Sequence, residues 1–379
     1  MNSTFAIPET LLAQFDQGYP ENRGSTPYIL MSAALIEHNY RTFCEMVAVD
    51  DLYFPVKTNN VPEVLKTLRT LGSKFEVASA AELDLLLGIG AAGDEIIVSN
   101  PVKMPAHLDR ARDAGVRTFA FDTASELDKL HRHAPGSEVY LRLDVSNEGA
   151  EWQLRNKFGA AASEAVPLFR RAQQLGLRPT GLAFHVGWNN THLDSWSQAI
   201  RGAVQVAEQC LQEGVALQSV NLGGGFPAHG VAQYDYLHQI AEVLHPHVLR
   251  LKQVLGLKVY AEPGSFIAAN AGVLVSTVVD VVDRRGRVWV YLDSGINQGF
   301  YWAYAGIRYQ LSAALPRSQR TMDCVVTGPT CDSADVFGDA VPLPADLRPG
   351  DVVHIFPAGA YVSSAREYNG FGYPEVLVR

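Results

Sequence analysis

The sequence predicts an α/β chain, a (β/α)8 barrel followed by a domain of β-strands. Three observations carry that prediction. Between about residues 50 and 266, short apolar runs alternate with amphipathic ones in a steady beat. After about residue 270 the helical runs cease and β-type runs punctuated by Gly and Pro take over. A chain of 379 residues, 47% hydrophobic and 19% charged, is long enough for one large or two ordinary domains, each with its own core.

Taken in order, DLYFPVK, KFEVAS, EIIVSN, RTFAFD, EVYLRLDV, GLAFHVG, SVNLGGG and KVYAEPG are rich in Val, Ile, Phe and Tyr. They show little in-out alternation, as strands covered on both faces do. Between them lie VPEVLKTLRTLG, AAELDLLLGIG, MPAHLDRARDAG, ASELDKLHRHA, AVPLFRRAQQLG, SWSQAIRGAVQVAEQCLQEG and YDYLHQIAEVLHPHVLRLKQVLG, which read as helices. Ser79 with Glu82 and Thr123 with Glu126 have the spacing of capping boxes, and several segments close on a glycine. Strands with crossover helices in this number favour a closed barrel, placed at residues 33–268, over an open doubly wound sheet. Beyond it, AGVLVSTVVDVV and VWVYLDSG flank the tight turn DRRGR, and TMDCVVTGPTC and RPGDVVHIF continue in β style. Residues 269–379, with a strand from residues 1–32, are assigned to the β domain.

Composition narrows the function. A net charge of −9 and the absence of any dense Lys/Arg stretch argue against a nucleic-acid surface and point to small molecules or copies of the chain itself. The start, MNSTFAIPETLLAQFDQ, has no basic segment leading into an apolar one, and no run of roughly 18 apolar residues occurs, so a cytoplasmic protein is expected. Cys44, Cys210, Cys324 and Cys331 show neither metal-ligand nor disulfide spacing and are expected to be reduced thiols.

In a barrel, chemistry gathers at the C-terminal ends of the strands. Lys57 closes the first strand of FPVKTNN, where apolar neighbours would desolvate its amine and make it a nucleophile able to form a Schiff base. A snorkelling surface lysine is the plainer alternative. His185 of FHVG is either a satisfied core histidine or a ring that stacks on a planar cofactor. The glycines of NLGGGFP allow backbone N–H groups close to a phosphate, although many such runs are only turns. Glu262 of YAEPG puts a carboxylate in the mouth, where it needs a cationic or donating partner. A lysine, a flat ring, a phosphate cradle and a carboxylate together suit pyridoxal 5′-phosphate.

The order and wording of PVKTN, FEVAS, IIVSNPVK, LRLDV, KFG, FHVG, GGGFP, AEPG, GPTCDSAD and GAYVSSAREYNGF resemble the ornithine/diaminopimelate decarboxylase family, fold-type III pyridoxal-phosphate enzymes with an alanine-racemase-like barrel. The resemblance implies that Lys57 binds the cofactor aldehyde, His185 stacks on its ring and Glu262 holds the pyridine nitrogen. It also implies that Gly224, Gly225 and Tyr361 bind the phosphate and that Arg142 lies near the ring. Cys331, as proton donor to the substrate carbon, and Asp332 would enter from the partner subunit of a head-to-tail homodimer. Lys157 and Asp335 match a pair that bridges subunits in relatives. The implied activity is that of a carboxy-lyase acting on an L-amino acid.

Three departures concern binding. Where the family usually has serine after FHVG and arginine after EPG, both on the phosphate, this chain has Trp188 and Ser265; the Ser265 hydroxyl and Asn189 or Asn190 are candidates to compensate. In DSGINQGFYWAYAGIRYQ the acid that grips a substrate's distal ammonium in diamine-forming relatives is missing, with Gly306 near its place and Arg308 close by. Arg308 favours an acid-decorated amino acid conjugate of siderophore or other specialised metabolism, the reading slightly preferred from sequence. Asp332 favours ornithine or lysine and polyamine synthesis. A racemase of the same fold would carry arginine in place of Glu262, and a cofactor-binding protein without catalysis would not need the β domain and its cysteine.

Overall fold

The structure, a computed structural model, describes residues 26–154, 157–314, 318–363, 367–368 and 370–379. Contacts divide the chain into two units. One comprises Glu37–Pro227 with Gln233–Phe266; the other takes the described residues up to Ile36, Ala228–Ala232 and the stretch from Ile267 to Arg379.

After strand β1 (Tyr28–Met31) come β2 (Asp51–Pro55), β3 (Lys74–Val77), β4 (Ile96–Val98), β5 (Thr118–Phe121) and β6 (Glu138–Arg142). They are followed by β7 (Ala150–Trp152), β8 (Arg178–Ala183), β9 (Trp188–Asn190), β10 (Ser219–Asn221) and β11 (Lys258–Ala261). The order β10-β11-β2-β3-β4-β5-β6-β8 closes on itself, every neighbour parallel. The pairing of Tyr260 with Asp51 shuts the barrel and decides against the open sheet. Inside it, Tyr53, Ile97, Ala120, Tyr140 and Ala183 form a cluster with Tyr260 against it. Outside, Phe43 and Trp196 pack on Phe226 at ring-centroid distances of 4.7 and 4.4 Å, and each such buried aromatic side chain contributes roughly 1.5–3 kcal/mol.

Helix starts follow the sequence signals. Pro62 and Pro105 open their helices, where a missing N–H costs nothing. Ser79 Oγ accepts from Glu82 N at 3.2 Å, and the Glu82 carboxylate accepts from Ala78 N. Thr123 caps the helix Ala124–His133 through Glu126 N at 3.3 Å. There the box is half made, because the Glu126 carboxylate turns to Lys103 instead.

The second unit is built on β12 (Gly272–Arg284), β13 (Arg287–Leu292), β14 (Gln310–Ala313), β15 (Thr321–Thr327), β16 (Val336–Pro344) and β17 (Val352–Phe356), with β18 (Glu367–Tyr368), β19 (Phe371–Gly372) and β20 (Glu375–Val378). Its main sheet runs β14-β17-β12-β13-β15-β16, with β1 antiparallel on β12 and β20 parallel on β1. The expected turn between β12 and β13 is a two-residue one, with φ of 58° at Arg285 and 79° at Gly286, the backbone that twists a hairpin correctly. Leu30, Val273, Val275 and Phe356 make the core beneath β1.

Candidate active site

Lys57 lies two residues past β2, in the 3-10 turn Val56–Thr58. The expectation of apolar neighbours is corrected by what surrounds it. Its side chain is 44% exposed, and its Nζ donates to the Glu76 carboxylate, which the next strand holds at 1% exposure. A carboxylate buried that deeply keeps a cation beside it, because alone it would lose its hydration for nothing. A Cβ on Gly264 would stand 2.2 Å from Thr58 Oγ1, so only glycine lets the turn after β11 reach the turn that carries Lys57.

Glu262 follows β11 directly and is 8% exposed. Its Oε1 accepts from Ser99 Oγ at 2.7 Å and from Asn221 Nδ2 at 2.8 Å. Tyr140 donates its hydroxyl proton to Ser99 Oγ at 2.8 Å, leaving the Ser99 proton for Glu262. Burial, helped by the charge on Glu76, raises the Glu262 pKa against the pull of Lys57 and the two donors. A cation placed beside this carboxylate would recover that loss.

His185, just past β8, accepts from Gly187 N through Nδ1 at 3.1 Å, so its proton sits on Nε2. Burial, then the nearby positive charges of Arg142 and Lys57, lowers its pKa to about 3 and keeps the ring neutral. Arg142 ends β6 with its guanidinium over the Phe158 ring at 5.5 Å. Burial pulls its pKa down, with Glu262 opposing. A pocket is lined by Ser99, Tyr140, Arg142, His185, Gly223 and Glu262, among others. Gly224 sits against His185, where a Cβ would come within 2.9 Å of Nε2, and Gly225 has φ +103° with Gly187 O 2.2 Å from where a Cβ would be. The glycine run is therefore a close-approach loop that side chains would disrupt.

The two departures at the expected phosphate seat meet each other. Trp188 Nε1 donates to Ser265 Oγ at 2.8 Å, an indole and a hydroxyl satisfying one another where the resemblance implied a hydroxyl and a cation. Trp188 belongs to a ribbon, β7 with β9, that strand periodicity did not announce. Asn190, a candidate to compensate, is spent on the loop itself. Its amide donates to Val186 O and Glu148 O, and its side-chain oxygen accepts from His192 N. Asn189 donates to Glu151.

The β unit carries the remaining candidates. Tyr361 has φ +58°, left-handed backbone that bulky residues seldom adopt, and its ring meets Trp302 edge-on at 5.7 Å. Of GAYVSSAREYNGF beyond it, Ser364–Arg366 and Asn369 lie outside the described residues. Cys331 is exposed. Asp332 accepts from Ala334 N through Oδ1 at 2.9 Å and from the Tyr304 hydroxyl through Oδ2 at 3.3 Å. Arg308 is exposed, and Gly306 closes a 3-10 turn with φ +86°.

Asp335 is held from within its own unit. It has 0% exposure, and its carboxylate accepts from Ile296 N at 2.8 Å, Thr330 N at 3.2 Å and Thr330 Oγ1 at 2.6 Å. Three donors from its own unit thus hold this carboxylate in one orientation. Sequence reasoning missed Glu76, Ser99, Tyr140 and Asn221. FEVAS and IIVSN carry two of them, and only their position at neighbouring strand ends could have marked Glu76 and Ser99.

Lysine, neutral imidazole, glycine loop and buried carboxylate at the C-terminal ends of barrel strands define a pyridoxal-phosphate enzyme of the barrel type. Residues 33–269 match the family model for the pyridoxal-binding domain of pyridoxal-dependent decarboxylases. The chain belongs to that family, in its ornithine decarboxylase branch. It is 33% identical to the lysine/ornithine decarboxylase of Selenomonas ruminantium, across 91% of this chain and 88% of that one. The crystal structure of lysine decarboxylase from the same organism superposes with a TM-score of 0.86 at 30% identity, covering 98% of this chain and 96% of that chain. The arginine decarboxylase of Paramecium bursaria Chlorella virus gives 0.89 at 25% identity, covering 98% and 100%. The protein is thus a pyridoxal-phosphate-dependent amino-acid decarboxylase. Its buried Glu262, short of a cation, and its glycine loop, closed to side chains, fit the group. Bound there, the cofactor supplies the electron sink for cleavage at the substrate's α-carbon.

Proposed function

We propose that the protein decarboxylates an L-amino acid with a cationic side chain, of the ornithine and lysine class. The observation that carries this reading is Asp332. Tyr304 and Ala334 orient its carboxylate, and it makes no ion pair among the described residues. An oriented acid without a counter-charge suits a distal ammonium. The similarity to a lysine/ornithine decarboxylase supports the same class. In this reading Lys57 holds the cofactor aldehyde, and Glu262 keeps a proton on the ring nitrogen. His185 covers the ring as a neutral plane, and Gly224, Gly225, Ser265 and Tyr361 receive the phosphate, with Arg142 beside the ring. The enzyme acts as a homodimer in which Cys331 of the partner subunit delivers the proton to the substrate carbon.

A second reading keeps the acid-decorated substrate preferred from sequence. It rests on Arg308, which is exposed. Carbon dioxide release from ornithine, lysine and amino acids bearing a distal carboxylate separates the two. Turnover of ornithine or lysine that falls about tenfold or more in Asp332→Ala supports the first, as loss of a charge-assisted contact requires. Turnover confined to carboxylate-bearing substrates, with KM raised about ten- to a hundredfold in Arg308→Ala, establishes the second.

A further inference from the structure

We propose that Lys103 is a positioning residue of this site, its buried ammonium fastening the Ser99–Lys103 turn so that the Ser99 hydroxyl stays on Glu262. The inference rests on the reading of Glu262 as the carboxylate at the cofactor ring.

Lys103 is 1% exposed along its side chain, an unusual place for an ammonium with no part in the chemistry. Its Nζ donates to Asn100 O at 2.9 Å, to Pro101 O at 3.2 Å and to Ala120 O, and pairs with Glu126 Oε1 at 2.9 Å. Two of those carbonyls belong to the turn itself, in the residues that follow Ser99. The third belongs to β5, where Ala120 lines the same pocket as Ser99. Glu126 also accepts from Lys103 N at 3.3 Å and pairs with Lys129, whose Nζ reaches Lys103 O. One cation thus ties the end of β4 to the end of β5 and to the helix Ala124–His133. At the far end of the turn Ser99 bridges Tyr140 and Glu262. A serine on an untethered turn would have alternative rotamers and water to bond. Clamping the next two carbonyls fixes its backbone and leaves it the one geometry.

The test compares Ser99→Ala, Lys103→Met and the double variant as apoproteins titrated with pyridoxal phosphate, reading both the dissociation constant and the cofactor's visible absorption band. Each single change is expected to weaken binding about ten- to a hundredfold and to move the band alike, as one hydrogen bond to a charged group implies. The double variant should bind no more weakly than Ser99→Ala, because both changes act on one bond. A purely structural lysine would lower the melting temperature and leave the dissociation constant and band at wild-type values, which overturns the proposal. So do losses that multiply in the double variant. If Ser99→Ala itself binds like wild type, the role given to Glu262's donors falls and the proposal with it; a Ser99→Ala loss beside an unchanged Lys103→Met refutes Lys103 alone. Should Lys103→Met fail to fold, Lys103→Met/Glu126→Gln, which removes the stranded carboxylate as well, carries the same comparison.

Discussion

Asp335→Asn isolates the contribution of one buried carboxylate to the loop that carries Cys331. Asparagine keeps the shape and one acceptor, so the bond from Ile296 N survives. Its amide nitrogen then faces the N–H of Thr330, a donor against a donor, where a charged acceptor stood at 3.2 Å. The Thr330 hydroxyl can turn to accept, so its loss is partial. Relaxation is blocked, since Gly295 and Gly328 crowd the carboxylate so closely that a Cβ on either would lie 2.2 or 2.4 Å from it. Losing one hydrogen bond to a charged group and leaving a buried donor unpaired costs about 2–4 kcal/mol. Urea unfolding followed by circular dichroism should show this loss. A loss below about 0.5 kcal/mol would refute the hydrogen-bond reasoning. A loss that grows as the protein is diluted would instead return Asp335 to a subunit interface.

Three further outcomes are expected. With a folded-state pKa near 3 against about 6.5 when unfolded, His185 stays neutral while the unfolded chain takes up a proton, so stability falls as pH drops through that window. Thermodynamic linkage gives about 1 kcal/mol between pH 6 and pH 5, and His185→Gln should remove that part of the slope in denaturation at the two pH values. Replacing the coupled pair, Trp188→Ser with Ser265→Arg, should tighten cofactor binding about tenfold in apoprotein titrations by supplying a cation, whereas Ser265→Ala alone leaves the indole N–H without its acceptor and should weaken it. Mixing Lys57→Ala chains with Cys331→Ala chains should restore up to about a quarter of the activity, because random pairing leaves one complete site in half the dimers; no recovery after verified subunit exchange would mean that the site is not shared.

The barrel was legible because its strands are covered on both faces and its helices are amphipathic, two periods that local sequence states directly. Proline at helix starts and serine or threonine caps fixed several boundaries. The ribbon of β7 and β9 was not legible, since AEW and WNN offer three residues each and no apolar alternation. For the site, strand-end logic found Lys57, His185 and Glu262 because their type and position coincide. It did not find their partners. Glu76 pairs with Lys57 across neighbouring strands, and Glu126 abandons a capping box for a lysine on another turn; both are tertiary choices among locally equivalent options. The same limit hid the Trp188–Ser265 bond, whose members are 77 residues apart, and the burial of Asp335, which depends on two glycine backbones.

The placement of β1 has a consequence for synthesis. Tyr28–Met31 emerges before any barrel strand, yet its parallel neighbour Glu375–Val378 follows roughly 340 residues later, which at ordinary ribosomal speed is about 20–70 s. Its antiparallel neighbour β12 comes sooner, yet still only after every barrel strand from Asp51 to Ala261 has been made, and until then the apolar segment YILM has no strand to pair with. The sheet that holds Cys331 is thus the last part of the nascent chain able to assemble. A ribosome stalled after the barrel should therefore carry a protease-resistant barrel and a protease-sensitive β1.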